Sequence, residues 1–397
     1  MELAPLRLKK NEDRRLRAGH LWVFSNEVDT GHTPLAAFEP GQPVEIQDSR
    51  GAPLGSGYVN PHSLICARMV SRGRGRVLNG DLLRDRLAIA LALRERLYGG
   101  EPFYRLAYGE SDGVPGLVVD RFGDVLVAQI TTAGMERARD EVVEALGQLV
   151  PTAAVLLRND TGSRTLEGLP SYVEAARGQV PDRVEIRENG VRFDVALGAG
   201  QKTGWFYDHR ENRARLRRYV GGARVLDVFS YVGGWGVQAA VAGAERVVCV
   251  DSSAPALESM RRSAALNGVE GRVEGERGDA FEILTGLRER GERFDVVVLD
   301  PPAFIKRRKD AKQGEQAYQR INRLAMELLV AQGIIVSASC SHHLARESLQ
   351  GVMLRASREL RRDLQLLEEG GQAPDHPVHP AIPETAYLKA FFGRLLG

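Results

Sequence analysis

The sequence predicts an α/β fold in which a parallel, doubly wound sheet occupies the C-terminal half of the chain. From Arg224 onward, short apolar runs alternate with helical segments, which is the order of βαβ units. Val296–Leu299 is apolar at every position, as in a strand that is buried on both faces. Asp300-Pro301-Pro302 follows, and the two prolines end the ladder. We therefore expect the Asp300 carboxylate at the carboxyl end of a central strand, where open α/β sheets bind ligands.

The length of 397 residues exceeds one ordinary core and predicts two or three domains. Hydrophobic content of 43% and charged content of 27% are typical of a soluble globular protein. We expect a barrel-like β domain over residues 1–75, then a linker helix and a small α+β domain over residues 76–180. The doubly wound domain is expected over residues 181–397, and a β-hairpin across Asn189-Gly190 precedes its main sheet.

Residues 1–75 are rich in short β patterns, and Asn11–Ala18 is predicted as one short helix. The predicted strands are Leu6–Lys9, Leu21–Glu27, Val44–Gln47, Leu54–Val59 and Leu64–Val70. An amphipathic helix over Asp81–Tyr98 follows a Gly/Arg linker. A hairpin around Phe122-Gly123-Asp124, a helix over Met135–Leu149 and a strand over Ala154–Leu157 predict a small α+β domain, in which no catalytic constellation is evident.

The C-terminal half shows the strand and helix alternation that predicts the doubly wound sheet. Its predicted strands are Val225–Val228, Arg246–Val250, Val273–Gly275, Val296–Leu299 and Ile334–Ala338. Its predicted helices are Gly236–Ala242, Pro255–Asn267, Ala280–Arg290 and Gln316–Ala331. One more helix, Ser348–Arg361, and two strands near Leu364–Glu368 and Tyr387–Phe392 are expected in the remaining segment.

The composition excludes several classes of function. The net charge of +2 excludes a polycation, although arginines cluster between Arg68 and Arg76 and basic residues fill Lys306–Lys309, and such clusters can bind a phosphate backbone. Three widely spaced cysteines exclude a disulfide scaffold and a zinc ribbon, and His342-His343 lack a third metal ligand at useful spacing. No apolar run reaches the length of a membrane span, and Met1–His20 is polar. We expect a protein of the reducing cytoplasm without a metal.

Four predicted strands are followed by residues that suit a nucleoside ligand. Asp227 ends the first strand, and the glycines at Gly233–Gly236 let a ligand approach the backbone. Asp251 ends the second strand and is suited to hold ribose hydroxyls. After the third strand, Asp279 can accept from an adenine amino group while Phe281 lines the ring. NAD is the alternative ligand, but the glycine spacing departs from G-x-G-x-x-G, and NAD chemistry gives no reason for the Asp-Pro-Pro motif at Asp300.

Cys340 follows the fifth predicted strand, in Ser339-Cys340-Ser341-His342-His343. If the fourth and fifth strands are neighbours, Cys340 lies beside Asp300. A cysteine thiolate can add to C6 of a pyrimidine and so make C5 nucleophilic towards an electrophilic methyl group. Cys66 and Cys249 stand inside apolar runs and are expected to pack as small apolar residues.

In combination, these stretches resemble the bacterial class I S-adenosylmethionine-dependent 23S rRNA cytosine-C5 methyltransferases that carry an N-terminal PUA domain, and the resemblance covers essentially the whole chain. The matching stretches are His20–Phe24, Gly116–Asp120, Asn159-Asp160, Gly200–Gly204 with Asp208, Arg210, Glu211 and Asn212, Asp227–Tyr231, Asp300–Phe304 and Ser339–His343. The resemblance implies a PUA domain, a small α+β domain that faces RNA, a Rossmann-like methyltransferase domain and a homodimer that acts on 23S rRNA.

The resemblance also implies roles for individual residues. The methyl donor, S-adenosylmethionine, would be lined by Asp227, Phe229, Ser230, Gly233, Asp251, Ser252, Asp279, Ala280, Phe281, Asp300 and Pro301. Cys340 would be the nucleophile, and Asp300 would contact N3 or N4 of a cytosine that has left its stack. RNA would be bound by Arg68, Arg72, Arg74, Arg76, Gln201, Lys202, Thr203, Arg210, Phe304, Lys306 and Arg307. Related enzymes often carry a second cysteine where this chain has Asp300–Ala303, so the base that removes the C5 proton stays open.

Two alternatives stay open at this point. Asp-Pro-Pro followed by an aromatic also resembles methyltransferases that act on base nitrogens, such as N2 or N7 of guanine, and these need no cysteine. The second alternative is an RNA-binding or assembly protein that keeps the fold without turnover. The target nucleotide, and whether free rRNA or an assembled subunit is the substrate, do not follow from the sequence.

Overall fold

A computed structural model describes residues 3–73, 75–151, 154–198 and 203–397. The chain divides into two compact units. Unit 1 comprises Met1–Asp182, Leu197–Trp205 and Pro374–Thr385, and unit 2 comprises Arg183–Ala196, Phe206–Ala373 and Ala386–Gly397. Within the described ranges, no helix is long and apolar enough to cross a bilayer.

The first sheet of unit 1 has five strands in the order β1-β3-β4-β5-β2. They are β1 (Ala4–Arg7), β2 (Trp22–Phe24), β3 (Gln42–Gln47), β4 (Pro53–Val59) and β5 (Ile65–Ser71). Among the described residues, the edges of this sheet are joined only by the isolated bridge between Leu8 and Val28, so the expected barrel is not closed by a ladder. The helix α1 (Arg14–Arg17) is shorter than predicted, because Asn11 has a left-handed φ of 73° and does not cap a helix.

The second sheet of unit 1 has the order β10-β9-β8-β7-β6. Its strands are β6 (Phe103–Tyr108), β7 (Leu117–Phe122), β8 (Val125–Ile130), β9 (Ala154–Asn159) and β10 (Tyr172–Arg177). The sequence prediction misses β6 and β10. These are the two edge strands, and β10 exposes most of its side chains, so it lacks the alternation that identifies a half-buried strand.

Helices cover this second sheet. They are α2 (Gly80–Tyr98), α3 (Ala133–Arg137), α4 (Arg139–Leu149) and α5 (Gly162–Leu166). The Asn79 side chain accepts from the Leu82 N–H at 3.0 Å and so caps α2. The single helix predicted over Met135–Leu149 is two helices, because Ala138 has φ −95° and ψ 18°. The core between α2, α4 and the sheet contains Leu83, Leu87, Leu106, Leu126, Val142 and Leu157.

Unit 2 begins with the predicted hairpin, β11 (Arg183–Glu188) and β12 (Val191–Ala196). Its seven-stranded sheet has the order β15-β14-β13-β16-β17-β19-β18. The strands are β13 (Arg224–Val228), β14 (Arg246–Asp251), β15 (Val273–Arg277), β16 (Phe294–Leu299), β17 (Leu329–Ser339), β18 (Asp363–Gly370) and β19 (Lys389–Leu396). The first five strands in this order are parallel, and β19 runs antiparallel to both β17 and β18. The predicted doubly wound sheet is therefore confirmed.

The helices of unit 2 are α6 (Arg210–Leu216), α7 (Gly234–Val241), α8 (Ala254–Leu266), α9 (Ala280–Glu289), α10 (Ala311–Glu327) and α11 (Arg346–Glu359). One face of the sheet, with α9, α10 and α11, forms a large apolar core that contains Leu226, Val297, Leu299, Ile335, Leu349 and Phe391. Burial of these strands on both faces accounts for their continuous apolar runs. The core holds the strands in register and so fixes which strand ends meet at the ligand edge.

Candidate active site

The carboxyl ends of the parallel strands in unit 2 meet at one edge of the sheet. Val228 at the end of β13 lies opposite Leu299 at the end of β16, and Leu299 lies opposite Ser337 near the end of β17. The residues that follow, Asp300 and Cys340, therefore stand on neighbouring strands, as the sequence predicts. Because β19 is antiparallel to β17, its first residue, Lys389, lies opposite Ser339 at this same edge.

The loop after β13 is held in an unusual backbone conformation. Phe229 and Tyr231 have left-handed φ values of 64° and 50°, and Gly233 has a φ of 80°. The Ser230 N–H donates to the Val250 carbonyl at 3.0 Å, and the Gly233 N–H donates to the Ser230 carbonyl at 2.8 Å. Non-glycine residues with positive φ are uncommon and cluster where a backbone is shaped for a ligand. This geometry supports the glycine loop as a binding loop.

Asp227 is fully buried beneath this loop. Its Oδ2 accepts from the Gly236 N–H at 2.8 Å, whereas its Oδ1 has no hydrogen-bond partner within the described ranges. The pKa of the Asp227 carboxyl is raised to about 7, mainly by burial and also by the charges of Asp300 and Asp251, while the hydrogen bond from the Gly236 N–H opposes them. A buried acceptor without a donor suits a cationic ligand group such as an α-ammonium.

Asp251 and Asp279 stand at the ends of the next two strands. The Asp251 carboxylate accepts from the N–H groups of Tyr231 at 2.9 Å and Ser253 at 2.8 Å, which fixes it at the end of β14. Asp279 is exposed and caps α9, since its Oδ1 accepts from the Phe281 N–H at 2.9 Å. Ser252 is exposed beside Asp251, and Ala280 is buried at the start of α9.

Three aromatic rings line the space between these loops. The Phe304 ring lies 6.2 Å from the Phe229 ring and 6.3 Å from the Phe281 ring, measured between centroids. The Tyr318 ring of α10 supports Phe304 at 4.8 Å. Pro301 is buried at the start of the same loop as Phe304. The rings that the sequence analysis places around the donor and the target base therefore form one aromatic wall.

Asp300 is held by two side chains that the sequence analysis did not single out. Its Oδ1 lies 3.2 Å from His209 Nε2, and its Oδ2 accepts from Trp235 Nε1 at 3.1 Å. Burial alone would raise the pKa of the Asp300 carboxyl, but the His209 imidazole and the hydrogen bonds from His209 and Trp235 outweigh it, so this pKa lies below its ordinary value. Asp300 is thus a carboxylate with a fixed orientation.

Asn212 determines which nitrogen of His209 carries the proton. The Asn212 amide donates to the Gly371 carbonyl at 2.9 Å and accepts from Arg215 at 2.9 Å, which fixes its orientation. Its nitrogen then faces His209 Nδ1 at 3.1 Å, so Nδ1 accepts and Nε2–H donates to Asp300. No sequence signal pointed to this pairing, because His209 and Asp300 are far apart along the chain.

Cys340 is half-buried at the end of β17. The flanking Ser339 and Ser341 are buried, and their hydroxyls bond to the Tyr318 hydroxyl at 2.8 and 2.9 Å. These bonds anchor the strand end that carries the thiol. Cys66 and Cys249 are fully buried, and burial raises the pKa of the Cys66 thiol to about 12 and that of the Cys249 thiol well above its usual value.

Two further residues of unit 2, Lys389 and Tyr387, lie at this edge without having been predicted. Lys389 is buried, and its Nζ donates to the Ser341 carbonyl at 2.6 Å. The Tyr387 hydroxyl donates to Asp208 Oδ2 at 2.5 Å, and the Tyr387 ring lies 5.6 Å from the His342 ring. The exposed His342 and His343 follow Cys340, and no group of three or more His, Cys, Asp or Glu in the described part of the chain could hold a metal ion.

The predicted RNA-binding residues of unit 1 differ in burial, since some are buried and others are exposed. The Arg68 guanidinium is almost buried and pairs with Glu167 at 2.9 Å and Glu110 at 3.6 Å, so its charge is taken up inside unit 1. Arg72 and Arg76 are exposed. Thr203 is buried and donates to Asp120 at 2.6 Å. Arg74, Gln201 and Lys202 lie outside the described residues.

The predicted RNA-binding residues of unit 2 also differ. Arg210 is buried at the start of α6, and its Nε lies 3.9 Å from Glu188. Lys306 and Arg307 are exposed in the loop that follows Phe304. Arg68, Thr203 and Arg210 are thus buried, whereas Arg72 and Arg76 of unit 1 and, separately, Lys306 and Arg307 of unit 2 are exposed cations that can meet a phosphate backbone.

Two family models match this chain. A model described as an S-adenosylmethionine-dependent methyltransferase matches residues 169–393, which include the seven-stranded sheet except for the last three residues of β19. A model described as a PUA-like domain matches residues 6–72, which include the first sheet of unit 1.

Curated relatives match over nearly the full length. A protein of Photobacterium profundum is 39% identical over 97% of this chain and 97% of its own length, and one of Tolumonas auensis is 38% identical over 98% of each. Both are named ribosomal RNA large subunit methyltransferase I.

Two solved structures share the fold. A Streptococcus mutans protein described as a SAM-dependent methyltransferase aligns with a TM-score of 0.82 and 20% identity over 99% of this chain and all of its own. A methyltransferase structure in complex with SAH aligns with a TM-score of 0.84, also at 20% identity, with the same coverage.

Proposed function

Because this chain belongs to the S-adenosylmethionine-dependent ribosomal RNA large subunit methyltransferase I family, we propose that it methylates C5 of one cytosine in 23S rRNA through a covalent adduct with Cys340. The observation that carries the proposal is the placement of Asp300 and Cys340 after neighbouring strands, β16 and β17, at the edge that also holds the glycine loop. A carboxylate for the base and a thiol for C6 are the two groups that this reaction needs.

The methyl donor is S-adenosylmethionine, which supplies an electrophilic methyl group when bound. The residues at the ends of β13, β14 and β15 fit its parts. Asp227 Oδ1, buried without a partner in the described ranges, suits the α-ammonium. Asp251, fixed by two backbone N–H groups, suits the ribose hydroxyls. Asp279 and Phe281 are in place for the adenine.

In the proposed reaction, the Cys340 thiolate adds to C6 of the cytosine, and the electrons of the C5–C6 bond move towards C5 and the ring. C5 takes the methyl group and retains its hydrogen for the moment; the electrons of the broken sulfur–methyl bond stay on sulfur, so the donor would leave as S-adenosylhomocysteine. The C5 proton then passes to solvent, since no second thiol stands in the Asp300–Ala303 loop. The electrons of that C–H bond reform the C5–C6 double bond as the C6–S bond breaks, which returns Cys340 to the thiolate.

Asp300 positions the base. Its carboxylate is oriented by His209 and Trp235, so it can accept from the N4 amino group of a cytosine or from a protonated N3. When N3 is protonated, the carboxylate stabilises that positive charge, and the protonated ring can take up the electron pair of the addition without becoming an anion. The base must leave its stack to reach this edge, and the Phe304 ring offers a surface against which it can pack.

RNA binding is proposed for three surfaces. They are the PUA-like domain with Arg72 and Arg76, the small α+β domain up to about residue 180, and the basic loop at Lys306–Lys309. The three-domain division and the homodimer implied by the resemblance are part of the proposal, as is a cytoplasmic location. The exposed positions of Arg72, Arg76, Lys306 and Arg307 support the first and third surfaces.

The test is Cys340→Ala, assayed with 23S rRNA from a strain that lacks the enzyme and with labelled S-adenosylmethionine. Methyl transfer should be lost while calorimetry shows unchanged donor binding, and Cys66→Ala should retain transfer because Cys66 lies in the core of unit 1. With RNA that contains 5-fluorocytidine, the native protein should form an adduct that survives denaturation. The reason is that C5 then carries fluorine in place of the hydrogen that is normally removed as a proton, so the enzyme cannot be released. Mass spectrometry should place the adduct on Cys340.

Other outcomes identify the alternatives. Methyl transfer by Cys340→Ala at the normal rate would contradict a C5 mechanism and favour methylation of a base nitrogen, such as guanine N2 or N7. Failure of the native sequence to bind S-adenosylmethionine, with the loop at Gly233 intact, would favour an RNA-binding or assembly protein without turnover.

A further inference from the structure

Lys389 is an unusual residue for its position. It is the first residue of β19, and only 6% of it is exposed. Lysine is almost never fully buried unless its charge is paired. Its Nζ donates to the carbonyl of Ser341, the residue next to Cys340, at 2.6 Å. A buried ammonium at the ligand edge therefore needs an explanation.

The surroundings of Lys389 point to the thiol. Within the described part of the chain no carboxylate pairs with Lys389, and its Nζ bonds instead to the carbonyl of the residue that follows Cys340. Arg346, at the start of α11, is a charge that acts on it, and Arg346 itself pairs with Glu369 at 2.7 Å. Tyr318 of α10 is a second titratable group near Cys340, and a charge on Cys340 adds to burial in raising the pKa of its hydroxyl.

These charges have opposing effects on Lys389. The pKa of the Lys389 ammonium is lowered to about 8, because burial and Arg346 lower it by more than a Cys340 thiolate raises it. At neutral pH most of the lysine is therefore protonated, and formation of the thiolate strengthens this protonation. The backbone geometry brings the same groups together, because the Lys389 Nζ bonds to the carbonyl of Ser341, the residue directly after Cys340, at 2.6 Å.

We propose that the Lys389 ammonium is a positioning residue that keeps Cys340 ionised as a thiolate and holds it ready for addition to the base. This inference rests on the proposed function for its role in methyl transfer. The thiol proton goes to solvent when Cys340 ionises, and Lys389 keeps its own proton throughout. After the C6–S bond breaks, the thiolate returns to the same ammonium, so no proton is gained or lost by Lys389 over the cycle.

The hydrogen bond to the Ser341 carbonyl offers a simpler explanation, namely that Lys389 only anchors the backbone after β17. The two roles are separable by substitution. Lys389→Gln keeps an N–H donor for the carbonyl and removes the charge. Lys389→Arg keeps the charge, and Lys389→Met removes both. Lys312, exposed on α10, provides a matched control in Lys312→Met.

The experiment measures the rate of Cys340 alkylation by iodoacetamide between pH 5.5 and 10, with the modified peptide quantified by mass spectrometry. Cys66 and Cys249 are buried with raised thiol pKa values and should react little in the folded protein. Loss of an opposite charge shifts a neighbouring pKa by about one to three pH units. In Lys389→Gln and Lys389→Met the midpoint should therefore rise by at least about one pH unit, with alkylation at pH 7 slower by about tenfold or more.

Lys389→Arg should restore most of the native midpoint, and Lys312→Met should match the native sequence. Thermal unfolding with S-adenosylmethionine present verifies that each variant is folded. A Cys340 midpoint in Lys389→Gln equal to the native one would overturn the inference, because a purely structural lysine leaves thiol ionisation unchanged when its hydrogen bond is kept. If Lys389→Met alone does not fold, the Gln and Arg variants still decide the question.

This titration needs no turnover, so it is independent of the test of the proposed function. A raised midpoint in Lys389→Gln together with full methyl transfer by Cys340→Ala would support the thiolate pairing and contradict the C5 mechanism. An unchanged midpoint together with inactive Cys340→Ala would overturn the pairing and leave the C5 mechanism supported.

Discussion

Gly233→Ala tests whether the loop after β13 has room for any side chain. Gly233 has a φ of 80°, which costs an alanine about 1–2 kcal/mol. A Cβ at this position would also lie 2.5 Å from Met260 Cγ and 3.0 Å from Val237 Cγ2, and overpacking of this kind costs about 1–3 kcal/mol. The expected loss in the free energy of unfolding is about 2–5 kcal/mol in total.

Gly268→Ala is the matched control. Gly268 also has a left-handed φ, 65°, but nothing lies within 4 Å of its Cβ position. It should therefore lose only the conformational part, about 1–2 kcal/mol, and keep the native affinity for S-adenosylmethionine. Each kcal/mol corresponds to about 2–4 °C in Tm for a domain of 150–250 residues, so differential scanning fluorimetry can separate the two variants.

The affinity for S-adenosylmethionine shows whether Gly233→Ala keeps the native loop conformation or relieves its clash by moving the loop. If Gly233→Ala relieves its clash by moving the loop, calorimetry should show S-adenosylmethionine affinity weaker by about 5- to 150-fold, the equivalent of 1–3 kcal/mol. Adding Met260→Ala should recover the steric part and leave the φ cost, which a double-mutant cycle measures as coupling. Equal Tm and equal cofactor affinity for Gly233→Ala and Gly268→Ala would refute the reasoning.

Two further predictions concern buried charges. Between about pH 4 and pH 7 the unfolded chain has lost the Asp227 proton while the folded chain keeps it, so the stability of the native protein falls as pH rises through this window. The Tm of Asp227→Asn minus that of the native protein should therefore rise from pH 5 to pH 8. Equal Tm differences at the two pH values would contradict the raised pKa. Arg68→Ala leaves the carboxylates of Glu167 and Glu110 without their cationic partner and should destabilise unit 1 by about 3–5 kcal/mol. Arg76 is exposed and lies 3.4 Å from Asp85, so Arg76→Ala should change stability by about 1 kcal/mol or less. Urea unfolding followed by a probe in unit 1 measures both changes.

The parallel part of the fold was predictable because its signals are local. A strand that is buried on both faces reads as a continuous apolar run, and each βα turn carries its own polar residue. Asp227, Asp251, Asp279 and Asp300 could therefore be assigned to one edge from their spacing alone. The neighbouring positions of Asp300 and Cys340 needed only the assumption that β16 and β17 are adjacent, which the sheet order confirms.

The edge strands and the barrel were less predictable. β10 exposes most of its residues and pairs through the backbone, so its stabilising interactions do not depend on an apolar pattern. Arg68 illustrates a related limit, because an arginine that pairs with Glu167 and one that faces solvent look the same in a run of arginines. Which carboxylates approach a guanidinium depends on how the chain folds back, and Glu167 is far from Arg68 in sequence.

His209 lies 3.2 Å from Asp300, and Lys389 bonds to the carbonyl of the residue after Cys340. Neither residue could be found from sequence spacing. A fully parallel sheet would present only carboxyl ends of strands at the ligand edge, and these carry the motifs that a reader can recognise. Insertion of the antiparallel β19 beside β17 brings the amino end of a strand to the same edge. The C-terminal segment thus covers what would otherwise be the open side of β17, and it also brings the Lys389 Nζ to the carbonyl of Ser341, the residue after Cys340. Loss of β19 would therefore be expected to impair both the pairing of β17 and the reactivity of Cys340, whereas Lys389→Gln should impair reactivity alone.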